Sequence, residues 1–277
     1  MSESHAKAAL SHDIEEKLLA LSHEFKTPLS VTVSALQLLE TKLENNHPDE
    51  YQANYKEFFD IATRNVYRTL RLTNNLIDTG RINRGFTKPM IQETDLTTLV
   101  REMSANVAVY GQMHGVSVSY MGMETSLPVH CDAPMVERVL LNLLANALKA
   151  VPRHCGVIQI GLKQQENCAE ITVTDNGCGI QEEDLPHIFE KYWYKTSKGL
   201  ADKSGIGLGL YIAQNLTSLH GGKLWAQCPE SGGSIFTVQL PLMPPASDNI
   251  IVFGSTAAEY QSAWQMALLQ IEMVEFT

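Results

Sequence analysis

Four clusters along the chain combine residue types and spacings that can do chemistry. The first is Ser22-His23-Glu24-Phe25-Lys26-Thr27-Pro28. An exposed neutral imidazole is a nucleophile, and Glu24 beside His23 is a carboxylate able to take the proton it loses. Thr27 is one helical turn on and shares the His23 face. The second cluster is Asn142, Asn146 and Lys149, spaced i, i+4 and i+7 in a leucine-rich stretch. Asparagine is a poor helix former, so two on one face need a reason. Amide oxygens ligate Mg²⁺, and a lysine meets phosphate. The third, Asp175-Asn176-Gly177-Cys178-Gly179-Ile180, follows the alternating run Ile171-Thr172-Val173-Thr174. A carboxylate at a strand end can accept from an exocyclic amine such as that of adenine, and Gly177 and Gly179 let the backbone approach a flat ring. The fourth is Gly205-Ile206-Gly207-Leu208-Gly209 at the start of a helical pattern. Glycines there present N–H groups and the positive dipole end to phosphate. Its G-x-G-x-G spacing is neither the dinucleotide fingerprint nor the Walker A pattern. Lys195, Lys198 and Lys203, in the irregular stretch before it, suit a lid over a triphosphate. Each cluster also has a plain reading: a surface histidine, a polar stripe, a tight turn, a solvated loop.

The elements that must position these groups are readable from periodicity. Leu10, Ile14, Leu18, Leu21, Phe25, Leu36, Leu39 and Leu43 recur at steps of three and four, which predicts one long helix over about 5–44. Pro28 removes an N–H and bends it. Asn45 to Asp49 is a turn, and a second helix is expected over about 50–82 with a stripe of Tyr55, Phe58, Phe59, Ala62, Val66, Leu70, Leu76 and Ile77. The pair forms an antiparallel helical hairpin. One hairpin cannot bury both stripes, and a four-helix bundle made by a homodimer solves this economically. Beyond Gly85 and Pro89 the pattern mixes. Asp95 and Asp132 are positioned to cap helices ending near Gln112 and Ala150. Strands are expected at 116–120, 128–131, 156–163, 168–174, 223–228 and 234–240, with a helix from near Gly207 to the Gly221-Gly222 pair. Helices and hairpins sharing one domain read as an α/β sandwich, so the fold class is α+β.

Composition narrows the function classes. The chain has 277 residues and a net charge of −10, so no global basic field attracts nucleic acid, and any phosphate site must be built locally. Five scattered cysteines without a C-x-x-C pair suggest reduced thiols. No apolar run approaches the roughly 20 residues of a membrane helix, and no signal peptide is evident.

Taken together and in this order, the clusters resemble the catalytic core of sensor histidine kinases over about residues 10–243. Ser22–Pro28 looks like the family's H box, Val139–Lys149 its N box, Asp175–Ile180 its G1 box, Leu185–Tyr192 its F box and Gly205–Gly209 its G2 box. The resemblance implies a dimerisation and histidine-phosphotransfer hairpin (1–87), then a Bergerat-type ATP-binding domain (88–245). It implies ATP and Mg²⁺ as cofactors, His23 as phosphoacceptor, Glu24 as acid/base partner, and Thr27 as the second member of an E-x-x-T pair that serves phospho-receiver phosphatase activity. Asn146 and Asn142 would serve Mg²⁺ and phosphate, Lys149 phosphate, and Asp175 adenine. Gly177, Gly179, Ile180, Phe189, Tyr192, Lys195, Gly205, Gly207, Leu208 and Gly209 would line the nucleotide. One departure is Trp193-Tyr194-Lys195, where the F box usually continues with an arginine. Another is the tail, 246–277, which resembles the truncated start of a receiver domain but has Gly254-Ser255 in place of the acidic pair. That points to a hybrid sensor kinase of the RetS type. The expected partners are a second copy, a receiver domain and, in the reading of a regulatory pseudokinase, another sensor kinase. An ATPase of the chaperone, gyrase or mismatch-repair type shares the nucleotide fold but not the histidine hairpin. The expected location is the cytoplasmic part of an inner-membrane sensor, with any membrane segment outside this chain.

Overall fold

The computed structural model describes residues 25, 28–83, 88–152, 154–193, 207–230 and 232–243. The chain divides into two compact units at Phe86–Thr87.

In the first unit, helix α1 runs over residues 28–46 and breaks at His47. Pro48 then sits at the first position of a short turn of helix, Pro48–Glu50, where its missing N–H costs nothing. A single π-turn, Tyr51–Tyr55, leads into α2, Lys56–Asn83. Periodicity at 3.6 residues predicts one uninterrupted second helix, and the wider turn departs from it. The turn places Tyr51 inward, where it is buried and donates its hydroxyl to Glu40 on α1. Gln37 on α1 likewise donates to the Tyr67 hydroxyl on α2, so the two helices form the expected hairpin. The buried set is not quite the predicted stripe. Leu70 and Ile77 are buried, but so are Val33, Tyr51 and Tyr67, while Phe58 is 69% exposed. Phe25 and Leu39, read as inward-facing, are 55% and 54% exposed, because one hairpin offers no second layer to cover that face.

The second unit begins with β1, Gln92–Asp95, which pattern alone did not reveal; it is four polar residues paired antiparallel with β3, Pro128–Cys131. Helix α3, Leu96–Met113, starts where the Asp95 carboxylate accepts from the Thr97 amide. Strand β2, Val116–Tyr120, follows Gly115, whose φ of +70° ends the helix. Helix α4, Ala133–Ala150, is capped by Asp132 through the Met135 amide. Then come β4, Gly156–Gln165, and β5, Cys168–Asp175; helix α5, Gly209–Leu219; and β6, Lys223–Gln227, with β7, Ser234–Pro241. The main sheet has the order β2-β4-β5-β7-β6; only β2 and β4 pair in parallel. Helices α3, α4 and α5 cover one face. Ile158, Ile160, Leu162, Ile171 and Val173 bury against them, while Val157 and Gln159 alternate outward. This is the expected α/β sandwich.

Candidate functional site

The sheet end where β5 finishes and β7 starts carries a loop held by several hydrogen bonds and close backbone approaches. Asp175 is buried, and both its oxygens are held: one accepts the Gly177 amide at 2.8 Å and the other the Ser234 hydroxyl at 2.5 Å. Strand register places Ser234 opposite Asp175. Gly233 makes that approach possible: its φ is +79°, and a Cβ there would fall on the Asp175 carbonyl. Asn176 anchors the loop sideways. Its amide oxygen accepts the Val157 N–H at 2.7 Å and its amide nitrogen donates to the Cys155 carbonyl at 3.0 Å. Gly177 lies against the end of α4, where a Cβ would meet the Ala150 carbonyl at 2.5 Å, and Cys178 donates its N–H to that carbonyl. Gly179 has φ +70° and passes the Gly233 carbonyl, and the Ile180 amide donates to the Cys228 sulfur at 3.4 Å. These glycines are therefore needed for close approach as well as for turning.

Helix α4 brings the second cluster alongside. Its leucines Leu140, Leu143, Leu144 and Leu148 are buried, which leaves Asn142, Asn146 and Lys149 on the half-buried flank. The Asn142 amide nitrogen donates to the Arg138 carbonyl, and its oxygen faces the start of α5, where a Cβ on Gly209 would lie 3.1 Å away. Among the described residues nothing is hydrogen-bonded to the Asn146 side-chain amide. So α4 touches the Asp175 loop at its C-terminal end and the glycine-rich turn in its middle.

The fourth cluster opens α5. Leu208 is the N-cap and supplies no side-chain acceptor, so among the described residues no side chain caps the first N–H groups of α5. Gly207 has φ +70°, and its carbonyl accepts the Tyr192 N–H at 3.0 Å. A Cβ on Gly207 would lie 2.3 Å from the Trp193 carbonyl. Phe189 is half-buried in the turns over 182–192, beside fully buried Ile188, and Tyr192 is half exposed with φ +63°. Asn142, Asp175 and Gly177 to Ile180, Gly207, Leu208 and Gly209 are thus linked by contacts around one end of the sheet. His23, Glu24, Thr27, Lys195 and Gly205 lie outside the described residues, as does the receiver-like tail.

Three supporting features escape pattern reading. Ser234 and Gly233 hold Asp175 from 58 residues or more downstream in sequence; the only signal is the Gly232-Gly233 pair ahead of β7. Buried His220 closes α5: its Nδ1–H donates to the Leu216 carbonyl, and its Nε2 accepts the Asp132 N–H at 3.0 Å. Those partners require the neutral ring, and burial lowers its pKa below the ordinary value. Lys191 lies over the Tyr211 ring. Among the described residues no group of three or more His, Cys, Asp or Glu side chains could hold a metal ion. A Mg²⁺ here would instead use an amide oxygen and phosphate oxygens. Asn146, with no hydrogen bond to its amide among the described residues, fits that donor set.

Comparison with known proteins agrees with this geometry. The family described as His Kinase A (phospho-acceptor) domain matches residues 16–85. The histidine kinase-, DNA gyrase B- and HSP90-like ATPase family matches residues 131–244. The chain is 31% identical to the sensor histidine kinase TmoS of Ectopseudomonas mendocina, across 81% of this chain and 22% of TmoS. It is 29% identical to the histidine-protein kinase AfsQ2 of Streptomyces coelicolor, across 83% of this chain and 42% of that one. The chain thus spans less than half the length of these relatives. The crystal structure of full-length ShkA in complex with AMPPNP superposes with a TM-score of 0.66 at 22% identity, over 84% of this chain and 47% of ShkA, which shows a shared fold. A phosphoacceptor domain followed by this ATP-binding domain is the pairing of the sensor histidine kinases, and the chain belongs to that family.

Proposed function

We propose that this chain is an ATP-dependent protein-histidine kinase core of a two-component system, phosphorylating its own His23. The observation that carries the proposal is the convergence of the Asp175 loop, the α4 asparagine face and the uncapped start of α5, in a chain that also holds the phosphoacceptor domain.

In this reading the Asp175 carboxylate, fixed by Gly177 and Ser234, accepts from the exocyclic amine of adenine. Gly177 and Gly179 admit the ring, with Ile180, Phe189 and Tyr192 beside it. The N–H groups of Gly209 and its successors face phosphate, and Lys149 and Lys195 offset charge. Asn146 and Asn142 would hold Mg²⁺, which supplies charge neutralisation between phosphate oxygens when bound. Glu24 takes the imidazole proton as His23 attacks the γ-phosphorus in line and the bond to the bridging oxygen breaks, releasing ADP, so catalysis is largely positional. His23 then passes the phosphoryl group to a receiver aspartate. Glu24 and Thr27 flank the phosphoryl group on the docked receiver aspartate and hold a water in line with it, so that attack by water breaks the acyl phosphate and releases inorganic phosphate. The domain limits 1–87, 88–245 and 246–277 belong to the same proposal.

The exposed Phe25, Leu38, Leu39 and Phe58 support dimerisation through the hairpin. Among the described residues no helix is long and apolar enough to cross a membrane; we place the chain on the cytoplasmic side of a larger sensor. No observation favours the pseudokinase. The test is incubation with γ-labelled ATP. The proposal expects protein-bound label that is lost in acid and stable in alkali, as a phosphoramidate is. Alkali-labile or absent label would overturn it.

A further inference from the structure

The phosphate-facing start of α5 is joined to the segment before residue 194 by more than one contact. The Tyr192 N–H donates to the Gly207 carbonyl at 3.0 Å, and Trp193 donates its own N–H back to Glu190. Tyr192 holds φ +63°, a conformation that a residue with a side chain adopts only when its surroundings impose it. Gly207 fits against Trp193 only because it lacks a Cβ. The residue just before Tyr192 makes a further contact with α5. The Lys191 ammonium sits 5.1 Å from the centroid of the Tyr211 ring, and Tyr211 is the third residue of α5. Both residues are half-buried, and the ammonium lies within the range in which a cation is attracted to an aromatic face.

We propose that Lys191 is a positioning residue for the phosphate-facing end of α5, acting through the ring of Tyr211. The proposal rests on the nucleotide reading of that helix end. Lys191 and Tyr211 draw the 190–193 turn onto the first turn of α5 and so hold Gly207, Leu208 and Gly209 at one orientation. The uncapped N–H groups of α5 can bind phosphate well only if that orientation is fixed before the ligand arrives. The lysine does this as a cation on a ring, so the charge and the ring matter jointly and neither alone suffices.

The test is ADP titration calorimetry on the full chain, which does not depend on kinase turnover, with KM and kcat for ATP measured alongside. Lys191→Met and Tyr211→Leu each remove one member of the pair; Tyr211→Met serves if the leucine variant melts early. Each should weaken ADP binding about two- to fivefold, raise the KM for ATP by a similar factor and leave kcat within about twofold. Lys191→Arg and Tyr211→Phe keep cation and ring, and should bind as the wild type does. The double variant should be no weaker than the weaker single, since both act through one contact. Loss with Lys191→Met but not with Tyr211→Leu would make Lys191 a direct phosphate ligand and overturn the proposal. Wild-type affinity in both, or effects that multiply in the double variant, would overturn it as well. A wild-type chain that binds no ADP would instead overturn the nucleotide reading beneath it.

Discussion

Replacing Ser234 by alanine isolates what holds Asp175. Both residues are 4% exposed, and the serine hydroxyl supplies one of the two donors to the carboxylate. Alanine changes the size little but leaves one oxygen of a buried carboxylate without its donor. A hydrogen bond to a charged group contributes about 1.5–3 kcal/mol. At roughly 2–4 °C per kcal/mol for a domain of this size, the melting temperature should fall by about 3–12 °C. The nucleotide effect should be smaller and of a different kind. The freed carboxylate must be ordered again at binding, at a cost of about 0.5–1.5 kcal/mol, or roughly two- to tenfold in ADP affinity. Asp175→Asn removes the acceptor charge itself and should cost about ten- to a hundredfold. Thermal melts and ADP calorimetry on the wild type, both single variants and the double variant separate these effects. If Ser234 acts through Asp175, its effect on ADP affinity shrinks in the Asp175→Asn background. An equal effect in both backgrounds, or a Ser234→Ala chain that melts and binds as the wild type does, would refute the reasoning.

Other perturbations probe other joints of the same site. Gly207→Ala forces a Cβ to within 2.3 Å of the Trp193 carbonyl at φ +70°; it should weaken ADP binding at least tenfold, and unchanged calorimetry would contradict the packing. His220 is neutral when folded and its pKa lies below the ordinary 6.5. The unfolded chain therefore binds the extra proton, and stability present above about pH 6.5 is lost as pH falls through that value toward the folded pKa. Melting temperature measured from pH 8 to 5.5 should drop, and His220→Gln should flatten the acid side of the curve; parallel curves would sink the idea. Asn146→Ala should weaken nucleotide binding when Mg²⁺ is present and far less in EDTA, and equal losses in both would remove Asn146 from the metal site.

Much of the second unit was legible in the sequence because its signals are local. Asp95 and Asp132 announce helix starts, alternation marks β4 and β5, and Gly115 and the Gly221-Gly222 pair mark stops. The clusters at Asn142 and Asp175 stood out because their residue types conflict with the elements that carry them. What stayed hidden depends on distant partners. Ser234 reaches Asp175 through strand register, His220 reaches Asp132 between two helix ends, and β1 exists only because β3 pairs with it. Lys191 reads as a solvated charge until the fold places Tyr211 beneath it. In the hairpin, periodicity found the second helix but not the inward turn of Tyr51, which passes through a π-turn that a 3.6-residue period does not contain.

The central claim is that nucleotide binding and phosphoryl acceptance sit on separate residues of one kinase core. It is tested most directly by His23→Gln, assayed in parallel for ADP binding and for γ-phosphate label. The account predicts wild-type ADP affinity, because the residues proposed to bind it all lie beyond residue 140, together with complete loss of acid-labile, alkali-stable label. Label persisting on the variant would place the acceptor elsewhere, and a matching loss of ADP affinity would contradict the division of the chain into two functions.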